Sequence, residues 1–165
     1  MSDTVLLDVS DGVATVTLNR PEGMNSLTLE AKMALNEAVA AVAADSRVRA
    51  LVLTGSGRAF CVGQDLKEHA ALLEKGDPAP LSTVTEHYNP LLRALTSLPF
   101  PTVAAVNGTA AGAGLGIACA LDYRIGANEC WTGPLAPGQK AAAAIIPTGN
   151  RYAPGRERED FIAAV

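Results

Sequence analysis

Short runs rich in β-branched residues alternate along this chain with helix-forming stretches, and that alternation limits its fold more than anything else. Val13 to Leu18 (VATVTL) alternates apolar and polar residues. With the weaker alternation of Val5 to Val9 and the turn signal Asp11-Gly12, it predicts a hairpin. Val48 to Thr54, Thr102 to Val106 and Leu121 to Ile125 read as buried strands. Between them, Thr28 is placed to cap a helix running to about Ala44, with Leu29, Met33, Val39 and Val42 as its apolar face. A short helix is expected from Asp65 to about Lys75, another from Ser82 to Ser97 with a weak point at Pro90, and a small-residue helix ending at Ala120. The order β-β-α-β-α-α-β-α-β implies an α/β fold with parallel pairing.

The pattern ends near Asn128. Beyond it come Pro134, Pro137, Pro147 and Pro154, an alanine run and the string GREREDF, with no period of 2 or 3.6. We therefore expect a core over 1–127 and a divergent tail over 128–165 that is disordered or loosely packed.

Composition narrows the function. Net charge is −4, from 13 Lys and Arg against 17 Asp and Glu, which disfavours nucleic acid as a partner. A small anion remains possible at helix N-termini. No apolar run reaches the ~18 residues of a membrane span, and the first residues lack a basic-then-apolar leader pattern. Cys61, Cys119 and Cys130 form no C-x-x-C pair, so a reduced, cytoplasmic setting is the simpler expectation. No His, Cys and Asp cluster has metal-ligand spacing, and no metal is expected.

Two glycine-bearing loops carry the functional signal. Gly57 to Lys67 (GRAFCVGQDLK) places a glycine just before a helix start. Val106 to Gly116 (VNGTAAGAGLG) joins a buried strand to a helix through small residues. Both expose main-chain N–H groups that lack intrahelical partners and attract a developing negative oxygen. Taken singly, each is more simply a turn between a strand and a helix. A dinucleotide fingerprint would need glycine at position 117, which is Ile117, and a P-loop would need Gly-Lys-Ser/Thr.

Three separated segments resemble the enoyl-CoA hydratase/isomerase (crotonase) family in order and spacing. Leu18 to Leu27 (LNRPEGMNSL) is similar to its loop near bound CoA, Ala59 to Leu66 (AFCVGQDL) to its AFxAGxDL loop, and Pro101 to Gly108 with Ala111 to Gly114 to its PxxAAVxGxAxGGG segment. The wording of residues 57–69 (GRAFCVGQDLKEH) and 76–91 (GDPAPLSTVTEHYNPL) further resembles the phenylacetate-degradation branch. The resemblance implies a crotonase-like ββα spiral core, here without the usual C-terminal helices that build a trimer or hexamer. It implies oxyanion N–H groups on Gln64 and Ala113, and CoA near Met24, Val62, Asp65, Leu66 and Gly112. An acyl-CoA thioester would be the substrate, with no separate cofactor.

The departures from that pattern concern proton transfer. The family's hydratases use two glutamates; the first position is Gly116 here, and the expected GxPE reads Gly133-Pro134-Leu135-Ala136. The resemblance therefore tilts toward isomerisation, with the general base unidentified. Asp65 reads first as a helix cap, Lys67 as solvated, Cys61 as packing, Asp122 as a strand end, and His69 and His87 as surface or packing residues. Glu68 and Glu86 are minor candidates for a substitute acid. The rival functions are an inactive crotonase fragment or acyl-CoA-binding module, and, more distantly, a nucleotide-binding α/β domain.

Overall fold

The computed structural model describes residues 3–76 and 82–127. The expectations for the tail lie outside those residues. Strands β1 (Val5–Ser10) and β2 (Val13–Leu18) form the hairpin. Asp11 at φ 52° and Gly12 at φ 81° both take the positive φ that a two-residue turn between twisted strands requires. The sheet continues in parallel through β3 (Ala50–Gly55), β5 (Thr102–Val106) and β7 (Tyr123–Gly126), in the order β1-β2-β3-β5-β7.

Inward residues alternate along β2 as the sequence predicts, at Ala14, Val16 and Leu18; β3 and β5, read as buried strands, bury alternate residues as well, Leu51 and Leu53 on β3, Ala104 and Val106 on β5. Helix α1 (Leu29–Ala44) covers this face, and the Thr28 side chain accepts the Ala31 N–H as its N-cap. Its buried stripe is Ala31, Leu35, Ala38, Val39 and Val42, at the spacing of one helical face. Val39 and Val42 are where the sequence put them. Leu29 and Met33 are not: they are 36% and 51% exposed, because they lie across the helix axis from that stripe.

Helix α2 (Leu66–Glu74) follows the first glycine loop. The expected single helix over 82–97 is instead a π-helical turn, Val84–Tyr88, running into α3 (Asn89–Ser97). The Asn89 N–H reaches back to the Val84 carbonyl, a longer loop than the α-helical one. This wide turn lies just before Pro90, which has no N–H to give. Leu91 and Leu95 of α3 are buried against the core. Helix α4 (Ala113–Ala120) closes the second glycine loop, burying Gly114, Ile117 and Ala118.

Two strands have no counterpart in the sequence reading. β4 (Ala59–Cys61) and β6 (Thr109–Ala110) pair in parallel as a separate two-stranded sheet. They lie within the two glycine loops, and their pairing positions the candidate site.

Candidate functional site

Asn25 organises the first of the three segments. It is 1% exposed, at φ 56°. Its carboxamide nitrogen donates to the carbonyls of Ser56 at 2.9 Å and Ala59 at 2.8 Å. Its oxygen accepts the Arg20 N–H at 2.8 Å. Asn107 also donates to the Ala59 carbonyl, at 3.2 Å, and its oxygen accepts the Gly55 N–H at 3.2 Å. Two carboxamides, Asn25 buried and Asn107 half-buried, thus tie all three segments to one carbonyl.

A ladder of main-chain bonds then aligns the first segment with the second. Val62 donates to the Met24 carbonyl at 3.3 Å, Leu27 to that of Gly63 at 2.7 Å, and Asp65 to that of Leu27 at 3.1 Å. The second segment meets the third through β4 and β6, extended by the Ala111 N–H on the Cys61 carbonyl at 3.0 Å. A β-carbon on Gly114 would collide with that same Cys61 carbonyl, so only glycine lets α4 seat so closely on β4.

A further junction between the second and third segments is at Gly63, which is buried at φ +91°. A β-carbon there would stand 2.9 Å from the Ala111 carbonyl oxygen and 2.9 Å from the Ala113 nitrogen. The Ala113 nitrogen is therefore packed against the residue whose carbonyl carbon bears the Gln64 nitrogen. Ala113 is the first residue of α4, where an N–H has no intrahelical acceptor. Among the described residues, neither the Gln64 nor the Ala113 N–H has an acceptor. Gly112, at φ 51°, lies beside the Val62 carbonyl. Met24, Val62, Gln64, Asp65, Gly112 and Ala113 are thus gathered into one region, with Leu66 next in chain and 74% exposed.

A polar network missed by the sequence reading stands behind Gln64. The Tyr88 hydroxyl donates to Gln64 Oε1 at 2.6 Å, and Lys32 Nζ lies 3.4 Å from the same oxygen. Because an ammonium only donates, this contact fixes which end of the carboxamide faces Lys32. Lys32 Nζ also donates to Thr83 Oγ1 at 2.6 Å, and that hydroxyl is 3.3 Å from His87 Nδ1. Burial pushes the Tyr88 hydroxyl pKa up, helped by the negative charges that Cys61 and Glu68 can carry. A signal for Lys32 did exist: it shares a helical face with Leu35 and Val39, where a solvated lysine would not sit.

The remaining candidates resolve mostly into scaffold. Asp65 caps α2: one oxygen accepts the Lys67 and Glu68 N–H groups, and the other takes Ser26 Oγ at 2.8 Å and Arg20 at 3.4 Å. The Glu68 N–H holds its carboxyl below the usual range, and Ser26 and Arg20 add to that. Glu68 accepts the Leu29 N–H at 2.8 Å and so caps α1 from another helix. Asp122 accepts from both the N–H and the hydroxyl of Thr102 at 2.9 Å. Cys61 is fully buried, and burial pushes its thiol up to about 11. Glu86 is exposed on the π-helical turn, and Gly116 is exposed, with no described residue within 4 Å of where a β-carbon would go. Among the described residues there is no group of metal ligands, and no helix is long and apolar enough to cross a membrane.

Comparison with known proteins identifies the family. The enoyl-CoA hydratase/isomerase family model matches residues 8–133. A probable enoyl-CoA hydratase of Rhodobacter capsulatus is 47% identical over 127 residues, covering 76% of this chain and 47% of that protein. The 1,2-epoxyphenylacetyl-CoA isomerase of Escherichia coli is 44% identical over 131 residues, covering 78% and 49%. The crystal structure of an enoyl-CoA hydratase from Mycobacterium smegmatis superposes with a TM-score of 0.70 at 35% identity, covering 77% of this chain and 49% of that one. The chain spans about half the length of the curated relatives it matches.

Proposed function

The chain belongs to the enoyl-CoA hydratase/isomerase family, and we propose that it binds an acyl-CoA thioester and polarises the thioester carbonyl between the Gln64 and Ala113 amides. The observation that carries this is the Gly63 junction, which packs the Ala113 nitrogen against the residue preceding Gln64 while both N–H groups lack acceptors among the described residues. Two fixed donors aimed at one oxygen favour the enolate over the neutral thioester, because the enolate carries more charge on that atom. Each such donor is worth about 3 kcal/mol in comparable sites.

An enolate is the shared intermediate of double-bond migration and of water addition to an enoyl thioester. The glycine at 116 favours migration, because it puts no carboxylate at the first acid position of the hydratase pattern. The 44% identity to 1,2-epoxyphenylacetyl-CoA isomerase supports an aromatic acyl group. The second reading, a module that binds acyl-CoA without turning it over, draws on the same glycine. Association into trimers or hexamers is the family expectation, tested by light scattering. A cytoplasmic location is supported by free Cys61 and Cys119.

The test uses the 165-residue chain with crotonyl-CoA. Loss of enone absorbance identifies hydration, its appearance from 3-butenoyl-CoA identifies migration, and heat of binding with neither identifies the module. Ala113→Pro removes one donor at the first helical position, where proline's fixed φ is tolerated. It should melt like the parent and lose thioester binding. Unchanged binding by this variant would overturn the proposal.

A further inference from the structure

Lys32 is a buried cation that neither the fold nor the proposed chemistry has yet used. It is 3% exposed on the core face of α1. Its ammonium contacts Thr83 Oγ1 at 2.6 Å and Gln64 Oε1 at 3.4 Å, and lies 5.6 Å from the centroid of the Tyr88 ring. His87, on the π-helical turn, reaches it only through the Thr83 hydroxyl. Glu68, on α2, is near enough to favour the charged form. That carboxylate accepts the Leu29 N–H, and among the described residues Lys32 forms no ion pair.

A buried charge of this kind is costly, and an apolar side chain of similar volume would usually stabilise the fold better. Burial accordingly lowers the Lys32 pKa, against the opposing pull of Glu68. The arrangement makes physical sense if negative charge arrives nearby. Gln64 links the two places: its carboxamide oxygen takes Lys32 and Tyr88, and its main-chain N–H is one of the two acceptor-free donors. In a water-poor site a unit charge acts over several ångströms.

We propose that Lys32 is an electrostatic positioning residue for the oxyanion site: it orients Gln64 and supplies the positive charge that favours an enolate on the bound thioester. This rests on the thioester reading of the Gln64 and Ala113 amides. The role predicts an unusual pairing of effects. Removing the charge should leave the fold as stable or more so, while weakening the site's preference for an anion.

The experiment titrates acetoacetyl-CoA bound to the 165-residue chain, following the near-ultraviolet band of its enolate with pH. The proton leaves C2 of the ligand for the buffer, and no other bond changes. Lys32→Met should raise the apparent pKa of the bound ligand by about one unit, a tenfold loss of enolate at fixed pH. It should melt at or above the parent's temperature and bind butyryl-CoA, which forms no comparable anion, almost as the parent does. Lys32→Gln, which keeps a polar partner for Thr83, should show the same titration shift if the methionine variant folds poorly. Variants that bind and enolise acetoacetyl-CoA as the parent does would overturn the inference and leave the thioester reading standing. A parent chain that binds neither thioester would overturn both.

Discussion

Gly63→Ala tests whether the apposition of the two amides is built on the absence of a side chain. The added β-carbon would meet the Ala111 carbonyl and the Ala113 nitrogen at 2.9 Å each, against 3.4 Å or more in ordinary contact. The α4 loop must therefore retreat by about half an ångström. Both obstacles are main-chain atoms on a segment pinned by β4 and β6, so neither can rotate away. Two costs add. An L-residue at φ +91° costs about 1–2 kcal/mol. Forcing a methyl group into closed packing costs about 1–3 kcal/mol. The total of about 2–5 kcal/mol should lower Tm by roughly 8–20 °C, at about 4 °C per kcal/mol for a chain of this size.

Gly76→Ala separates the two costs. Gly76 has φ +69° and nothing among the described residues within 4 Å of its would-be β-carbon, so that variant carries strain alone. Urea unfolding of both variants isolates the packing cost as the difference between them, expected at about 1–3 kcal/mol. Calorimetry with an acyl-CoA should then show weakened binding for Gly63→Ala alone, because the retreat parts Ala113 from Gln64. Equal destabilisation of the two variants would refute the reasoning, since the junction would then have room to spare.

Three further outcomes follow from the site. Gly116→Ala should raise stability by about 0.5–1 kcal/mol in urea unfolding, because it removes a glycine from a helix interior where a β-carbon meets none of the described residues; a loss would mean that the position is packed. Asp65→Asn should keep the helix cap yet flatten the acid limb of the stability curve below the unfolded carboxylate value of about 3.9. The Asp65 carboxyl is held low in the folded chain, chiefly by the Glu68 N–H, so its contribution is present above the unfolded value of about 3.9 and lost as pH falls through the folded one. An acid limb as steep as the parent's would refute that assignment. Iodoacetamide at about pH 8 should alkylate exposed Cys119 and spare Cys61 until the chain unfolds, because a thiol at about 11 is only about one part in a thousand thiolate there. Peptide mapping that finds Cys61 labelled in the native chain would contradict its burial.

What the sequence disclosed here was local, and what it hid was relational. The Asp11-Gly12 turn, the Thr28 cap and the Asp65 cap are each decided within a few residues, and each appears where the sequence puts it. The phase of α1 was half legible: Val39 and Val42 point inward, but Leu29 and Met33 are apolar on the outer face, and hydrophobicity alone does not say which stripe wins. β4 and β6 were illegible because strands of three and two residues have no period to detect. They exist because Ala59 finds Thr109 across the fold, and a single chain read in order carries no trace of that pairing.

The same distinction governs the site itself. A main-chain donor leaves no side-chain signature, so Gln64 and Ala113 could be named only through the glycines around them and a family resemblance. Lys32 and Tyr88 carry chemical signatures, yet their partner Gln64 is distant in sequence, and each looks ordinary alone. It follows that side-chain truncation at Gln64 and main-chain deletion at Ala113 ask different questions. Gln64→Leu keeps the amide N–H and removes the carboxamide that Lys32 and Tyr88 hold. If the amides do the work and the network only orients them, that variant should retain thioester binding yet lose part of the enolate preference, whereas Ala113→Pro should lose both. A Gln64→Leu chain as defective in binding as Ala113→Pro would move the recognition from the main chain to the side chain, and the glycine junction would no longer explain the site.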